Sequence, residues 1–238
     1  MPAAALEVQG LSAGYGPTRI VEDVSFAVPA GRRLAVLGRN GVGKTTLLAT
    51  VAGQTRRHGG SVRLGDTEIS DLSGSARALR GLGYVPQARC VFPSLTVEEN
   101  LFVGLKGRPK SALAEAYAMF PRLAERARNL GSQLSGGEQQ MLSTARTVLG
   151  KPSVLLLDEP LEGLAPVICD ELMAAFARLA AAGEMTFVLV EQRLAAALDF
   201  ADEVLIMERG RIAWTGTPAQ LRAEDATVEE LLGVKRSG

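Results

Sequence analysis

"GRNGVGKTT", Gly38 to Thr46, stands between the apolar run "RRLAVL" and the segment "LLATVAG". It fits the spacing G-x-x-x-x-G-K-[ST] at the end of an expected strand and the start of an expected helix, the context this motif requires. Backbone N–H groups from Asn40 through Gly41, Val42, Gly43, Lys44 and Thr45 to Thr46 can converge on phosphate oxygens at the positive end of that helix. Gly38 and Arg39 open the same loop. Lys44 would reach the β and γ phosphates of a nucleotide, and the Thr45 hydroxyl would ligate Mg²⁺. The plain alternative is a glycine turn with no ligand, and the flanking strand and helix speak against it.

A second motif belongs with the first. "SVLLLDE" is an unbroken apolar run ending at Asp158 and Glu159, the pattern of a buried parallel strand whose carboxyl end presents ligand groups. Asp158 would hold Mg²⁺ through water, and Glu159 would polarise the attacking water as general base. An acidic pair at the start of the next helix is the bland reading, and the phosphate loop upstream disfavours it.

With 238 residues, 47% of them hydrophobic, the chain can bury a sizeable core, but aromatics make up only 5%, so Leu, Val, Ile and Ala must fill it. The formal net charge of zero argues against a nucleic-acid partner, for which a basic excess is usual. Cys90 and Cys169 fit no metal-ligand spacing and point to a reduced, cytosolic setting. "MPAAALEVQG" lacks the pattern of a signal peptide, and no apolar run approaches the roughly eighteen residues that span a bilayer. A soluble chain that meets a membrane only through partners is expected.

Along the chain, "LEVQGLSAGYG" and "IVEDVSFAVPAG" alternate apolar with polar residues and predict an antiparallel strand pair. "KTTLLATVAG" predicts a helix closed by Gly53, and "GSVRLGDTEI" another strand. The texture changes between about Ser94 and Leu130. "TVEENLFVGL" has a Thr cap and helical spacing of Val97, Leu101 and Leu105, and "SALAEAYAMFPRLAERARNL" is helical up to an interruption at Pro121. A strand at "SVLLLDE", a helix over 166–181, a strand at "MTFVLVE", a helix over 194–200 and the strand pair "EVLIMERGRIAWTG" follow. The expected fold is α/β, with a parallel sheet covered on both faces, an antiparallel β subdomain and a helical subdomain over about 94–150, all in one domain, 1–238. His58, the only histidine, is expected on a solvated loop.

"QLSGGEQQ", Gln133 to Gln140, is a second glycine-rich loop. A phosphate loop, a loop with glutamine ("GYVPQ"), "LSGG" and then apolar-Asp-Glu, in that order over essentially the whole chain, resemble the ATP-binding-cassette (ABC) ATPases. The resemblance implies a P-loop NTPase core of the cassette type, with ATP and Mg²⁺ as ligands. It also implies that Ser135, Gly136, Gly137 and Glu138 begin a helix that binds the γ phosphate of an ATP held by a second cassette. A helix N-terminus capped by Ser135 favours such an anion; a plain cap would account for Ser135 but not for the two glycines. Under the same resemblance Tyr15 stacks on adenine, and Gln87 touches Mg²⁺ and the attacking water and senses a membrane partner.

Within the family, "YVPQARCVFPSLTVEENLFVG", "LSGGEQQML" and "EGLAP" are similar to the LivF-type subunits for branched-chain amino acids, with urea and short-chain amide importers as the runner-up. This implies a Mg-dependent ATPase paired with a distinct, LivG-like cassette. Two transmembrane permeases and, indirectly, an extracytoplasmic binding protein would complete the assembly at the cytoplasmic face of the bacterial inner membrane. The stretch from Arg89 to Leu105 would face the permeases. A non-transport ABC ATPase is the rival class. Two positions depart from the family pattern: Ala165 stands where most members carry Asp, and Gln192 where most carry a switch histidine. Gln192 would either take over the histidine's hydrogen bond to the γ phosphate or merely cap the helix that follows.

Overall fold

In a computed structural model that describes residues 2–233, two sheets stack through a common core. Strand β1 (Leu6–Tyr15) turns at Gly16 and pairs antiparallel with β2 (Thr18–Val28). On its other edge β1 pairs with β4 (Arg56–Leu64), which pairs in turn with the short β5 (Thr67–Glu68). The alternation expected for β1 and β2 is therefore used: Leu6, Val8, Leu11, Val21 and Val24 all point into the core. Strand β4 begins earlier than the sequence suggested, because Arg56 and Arg57 pair with Gly14 and Ala13. His58 consequently lies in a strand and is half-buried, not on a solvated loop.

The second sheet has six strands in the order β10-β9-β3-β8-β7-β6. These are β3 (Arg33–Leu37), β6 (Leu82–Val85), β7 (Val154–Asp158), β8 (Thr186–Val190), β9 (Glu203–Glu208) and β10 (Arg211–Gly216). All neighbours are parallel except β10, which returns antiparallel along the edge. Every residue of β7 and β8 is buried, as unbroken apolar runs require in a sheet covered on both faces.

The two faces are covered differently. Successive side chains leave a strand on opposite sides, so Val154, Leu156, Val188 and Val190 meet the antiparallel sheet and helix α1 (Lys44–Val51). Leu155, Leu157, Phe187 and Leu189 face the other way, onto helices. After α2 (Gly74–Leu79), those helices are α3 (Val97–Gly104), α4 (Leu113–Met119), α5 (Pro121–Glu125), α6 (Gly136–Leu149) and α7 (Pro166–Ala181). Ala35, Leu37, Val204 and Ile206 pack instead under α8 (Leu194–Phe200), α9 (Pro218–Ala223) and α10 (Asp225–Leu232).

Local chemistry sets the ends of these helices. Thr96 and Glu99 form a capping box at the start of α3, as Ser135 and Glu138 do at α6, each satisfying two N–H groups that the helix cannot. Pro121 occupies the first turn of α5 and separates it from α4, since proline cannot continue a helix but can begin one. Helices α3 and α6 approach so closely at Gly104 that a Cβ there would collide with the Arg146 carbonyl. Gly104→Ala should therefore lower the unfolding free energy by about 1–3 kcal/mol, the usual range for overpacking. Urea denaturation measures it, and unchanged stability would mean that the two helices are not in close contact.

Candidate functional site

The loop from β3 to α1 has glycine at three positions of positive φ, Gly38, Gly41 and Gly43. Gly38 has φ +147°, and a Cβ there would lie 2.6 Å from the Met207 carbonyl oxygen; Gly43, at φ +107°, precedes the first turn of α1. Because Gly43 offers no side-chain cap, the first amides of α1 face an open cleft. That cleft, about 320 Å³, is lined by Asn40, Gly41, Gly43, Lys44, Thr45 and Thr46 together with Gln87, Glu159 and Gln192. Ile20 and Glu162 complete its wall.

Lys44 is buried, with its ammonium donating to the carbonyls of Gly38 (2.9 Å) and Arg39 (3.2 Å) and lying 3.5 Å from Glu159 Oε1. A buried charge needs such partners, and phosphate oxygens could replace them. Asp158 ends β7 with no exposed surface; Thr45 donates to its Oδ1 and the Tyr84 hydroxyl to its Oδ2, each at 3.1 Å. Burial pushes the Asp158 carboxyl up to about 6, the two hydrogen bonds oppose that rise, and the nearby Glu159 charge adds to it. Burial and the Asp158 charge likewise raise the Tyr84 hydroxyl.

Glu159 has a left-handed backbone, φ +47°, a strain of order 1–3 kcal/mol for a residue with a side chain. Its N–H donates to the Val190 carbonyl at 2.9 Å, which ties the turn to the adjacent strand. The turn brings the carboxylate to the cleft. There Oε2 accepts from Gln192 Nε2 at 2.6 Å and from Gln87 Nε2 at 3.4 Å, while Oε1 faces Lys44. Gln87 also donates to Glu162 at 2.5 Å.

The structure thus gathers Lys44, Thr45, Gln87, Asp158, Glu159 and Gln192 at one place. Gln192 does not cap the next helix: α8 has Arg193 as its N-cap, with no side-chain cap bond. Three loop residues behave differently from the rest of the phosphate motif, since Gly38, Arg39 and Val42 do not line the cleft. Gly38 packs against Met207 and Val42, and the Arg39 guanidinium lies beside Gly233 at the end of α10. Tyr15, at the end of β1 and 53% exposed, lies off the cleft wall. Ser135, Gly136, Gly137 and Glu138 form a separate surface at the start of α6. Ser135 Oγ accepts from Glu138 N–H, and Glu138 Oε2 accepts from Ser135 N–H at 2.8 Å.

Sequence reading missed Tyr84 and Glu191. Tyr84 stands three residues before Gln87, and Glu191 ends an apolar strand immediately before Gln192. A charged group directly after a buried strand was the available signal for Glu191; Tyr84, inside β6, offered none.

A phosphate loop after β3 and an Asp–Glu pair at the end of β7, two parallel strands with β8 between them, define a P-loop nucleoside triphosphatase. The sequence model of the family described as "ABC transporter" matches residues 21–162. The chain is 38% identical over 232 residues to the high-affinity branched-chain amino acid transport ATP-binding protein BraG of Pseudomonas aeruginosa, covering 96% of this chain and 99% of BraG. It is 35% identical to the probable branched-chain amino acid transport ATP-binding protein LivF of Archaeoglobus fulgidus, covering 94% and 97%. The Fe(3+) ions import ATP-binding protein FbpC of Pseudomonas fluorescens is 36% identical, but the match spans only 66% of its length. Among solved structures, a bacterial Atm1-family ABC exporter with ATP bound superposes with a TM-score of 0.82 at 26% identity, over 94% of this chain and 41% of that one. A nucleotide-free ATP-binding cassette from an ABC transporter shares the fold, with a TM-score of 0.82 at 21% identity over 98% and 100% of the two chains. The chain belongs to the ABC transporter family and is an ATP-binding, ATP-hydrolysing importer subunit.

The buried Asp158 carries a consequence for stability in the metal-free protein. Its folded-state value, about 6 against an ordinary 3.8, means that the folded state binds the proton more tightly than the unfolded state. Stability from this group is full below pH 4 and is lost as pH rises to 6, by about 3 kcal/mol at roughly 1.4 kcal/mol per unit. Asp158→Asn should remove that loss. Denaturant unfolding of both proteins in chelator at pH 4.5 and 8 tests it, and an unchanged stability difference between them would contradict the assignment.

Proposed function

We propose that Glu159 is the general base for ATP hydrolysis and that the subunit powers uptake of branched-chain, hydrophobic amino acids. The convergence of Lys44, Gln87 and Gln192 on the Glu159 carboxylate carries the catalytic reading. Glu159 takes a proton from water, the water oxygen bonds to the γ phosphorus, and the bond to the bridging oxygen breaks to release ADP. Lys44 exchanges its carbonyl partners for phosphate oxygens, and the loop amides from Asn40 to Thr46 receive the remaining phosphate charge. Gln192 orients the base. Tyr15 is free to stack on adenine because its ring is half-exposed beyond the cleft.

The Thr45 hydroxyl and the Asp158 carboxylate offer oxygen donors of the kind Mg²⁺ prefers, and burial of Asp158 makes a cation welcome there. Thr45, Asp158 and Gln87 would hold Mg²⁺, which would supply positive charge against the phosphates. The fourteen-residue helix α6, with Ser135, Gly136, Gly137 and Glu138 at its start, would bind the γ phosphate of a second, LivG-like cassette.

A groove of about 360 Å³ supports a membrane partner. Phe92, Val103, Lys106 and Arg146 line it, and Leu79 and Phe102 stand exposed near it. Exposed apolar side chains grouped in this way mark an interaction surface, here for a helix of one of two permeases. Among the described residues no helix is long and apolar enough to cross a membrane, so the subunit would sit peripherally on the cytoplasmic face of the inner membrane. An extracytoplasmic binding protein would act only through the permeases. We assign the chain as one ATP-binding domain with a helical subdomain over about 94–150, a reading supported by the mutual packing of α3, α4, α5 and α6. The cargo reading rests on the similarity to BraG and LivF.

Glu159→Gln should bind ATP normally and hydrolyse it about two to four orders of magnitude more slowly, because it removes the base and leaves the phosphate contacts. Turnover near wild type, measured with the partner cassette present, would displace Glu159 from this role. For the cargo, the complete transporter in vesicles should hydrolyse ATP faster when leucine, isoleucine or valine is supplied with the binding protein. Stimulation by urea or short-chain amides instead would transfer the assignment to that substrate class.

A further inference from the structure

Glu191 follows β8, immediately before Gln192, and only 2% of its surface is exposed. One carboxylate oxygen accepts from the Leu161 N–H at 2.9 Å. The other accepts from the Gln192 N–H at 3.1 Å and the Arg193 N–H at 3.3 Å. These donors belong to two loops. Leu161 lies in the loop that leaves Glu159 for α7, whereas Gln192 and Arg193 lie in the loop between β8 and α8. A buried carboxylate is unfavourable unless hydrogen bonds compensate it, and here all three donors are backbone groups drawn from both loops.

The space between the loops shows why a joint is needed. A cavity of about 180 Å³ separates them, with Glu159, Leu161, Glu162, Gly163, Glu191 and Gln192 on its walls. Packing alone therefore does not fix their spacing. The spacing matters, because the Gln192 amide must meet Glu159 Oε2 at 2.6 Å from the opposite loop.

We propose that Glu191 is a positioning residue for ATP hydrolysis, a clamp that joins the loop after Glu159 to the loop carrying Gln192 and so keeps the Gln192 amide on the Glu159 carboxylate. The clamp acts through Gln192. Gln in its place keeps one acceptor oxygen but turns an NH₂ group toward backbone donors, so at least one loop is released. Asp keeps the charge and both oxygens with a shorter reach.

The inference rests on Glu159 as the base, and the experiment separates the two ideas. In the complete transporter, ATP turnover is measured for Glu191→Gln, Glu191→Asp, Gln192→Ala and the double variant Glu191→Gln/Gln192→Ala. Glu191→Gln should lower kcat by about 10- to 100-fold, the rate equivalent of losing hydrogen bonds to a charged group. KM for ATP should stay within about twofold, since the phosphate contacts are untouched. Glu191→Asp should fall between Glu191→Gln and wild type. The double variant should be no slower than the slower single variant, because both changes break one chain of contacts. The clamp is refuted if KM rises while kcat holds, or if the two single effects multiply in the double variant. Should Glu191→Gln fail to fold, Glu191→Asp paired with Gln192→Ala makes the same comparison. Multiplying effects alongside an inactive Glu159→Gln would sink the clamp alone; full turnover in Glu159→Gln would sink the base assignment.

Discussion

The Glu159 carboxylate must be held in a buried cleft beside a second carboxylate, and the rest of the site is arranged around that constraint. Sheet order supplies the solution. Strands β3, β8, β7 and β6 are neighbours, and the chain leaving each one delivers one member of the cluster: Lys44 beyond β3, Gln192 after β8, Glu159 after β7 and Gln87 after β6. Parallel strands put all these exits on one edge, which is why ligands bind there in such sheets. The left-handed turn at Glu159 costs stability, but it directs the carboxylate into the cleft at the end of a strand that is otherwise wholly buried.

Charge balance explains the posture of the other groups. Asp158, Glu159 and Glu191 are buried carboxylates within a few residues of the cleft, and Lys44 is the buried cation facing them. Backbone N–H groups carry much of the remaining compensation: three serve Glu191, while hydroxyls of Thr45 and Tyr84 serve Asp158. Lys44 is held by two loop carbonyls. Carbonyls are weaker partners for an ammonium than phosphate oxygens, so the loop is ready to exchange them without changing its backbone path.

What could be read in the sequence follows from how local each feature is. Lys44, Thr45, Asp158 and Glu159 were legible because a motif and a strand end fix where the backbone points. The spans of α7 and α8 were legible because proline and apolar spacing set them within a few residues. Glu191 and Tyr84 were not. Glu191 matters through Leu161, thirty residues away in the chain, and Tyr84 through Asp158 on the next strand. Such partners exist only once strand order is known. The direction of the Arg39 side chain is likewise not local: the residue sits in the phosphate loop, but its guanidinium turns toward the end of α10. His58 was read as loop because glycines follow it, and pairing with β1 overrode that local signal.

The same long-range geometry connects the groove beside Phe92 to both the cleft and the start of α6. Tyr84 lines the groove on one side and holds Asp158 on the other. Helix α6, capped by Ser135, runs from Gly136 to Leu149, about 21 Å at 1.5 Å per residue. Its first turn carries Gly136, Gly137 and Glu138, and Arg146, in its last turn, stacks on Phe92 in the groove at 4.9 Å. A closely packed helix moves as one body, and α6 is locked against α3 at Gly104. Through Arg146 the groove wall is in contact with the helix that begins at the signature residues, and through Tyr84 it is in contact with the Asp158 carboxylate in the cleft.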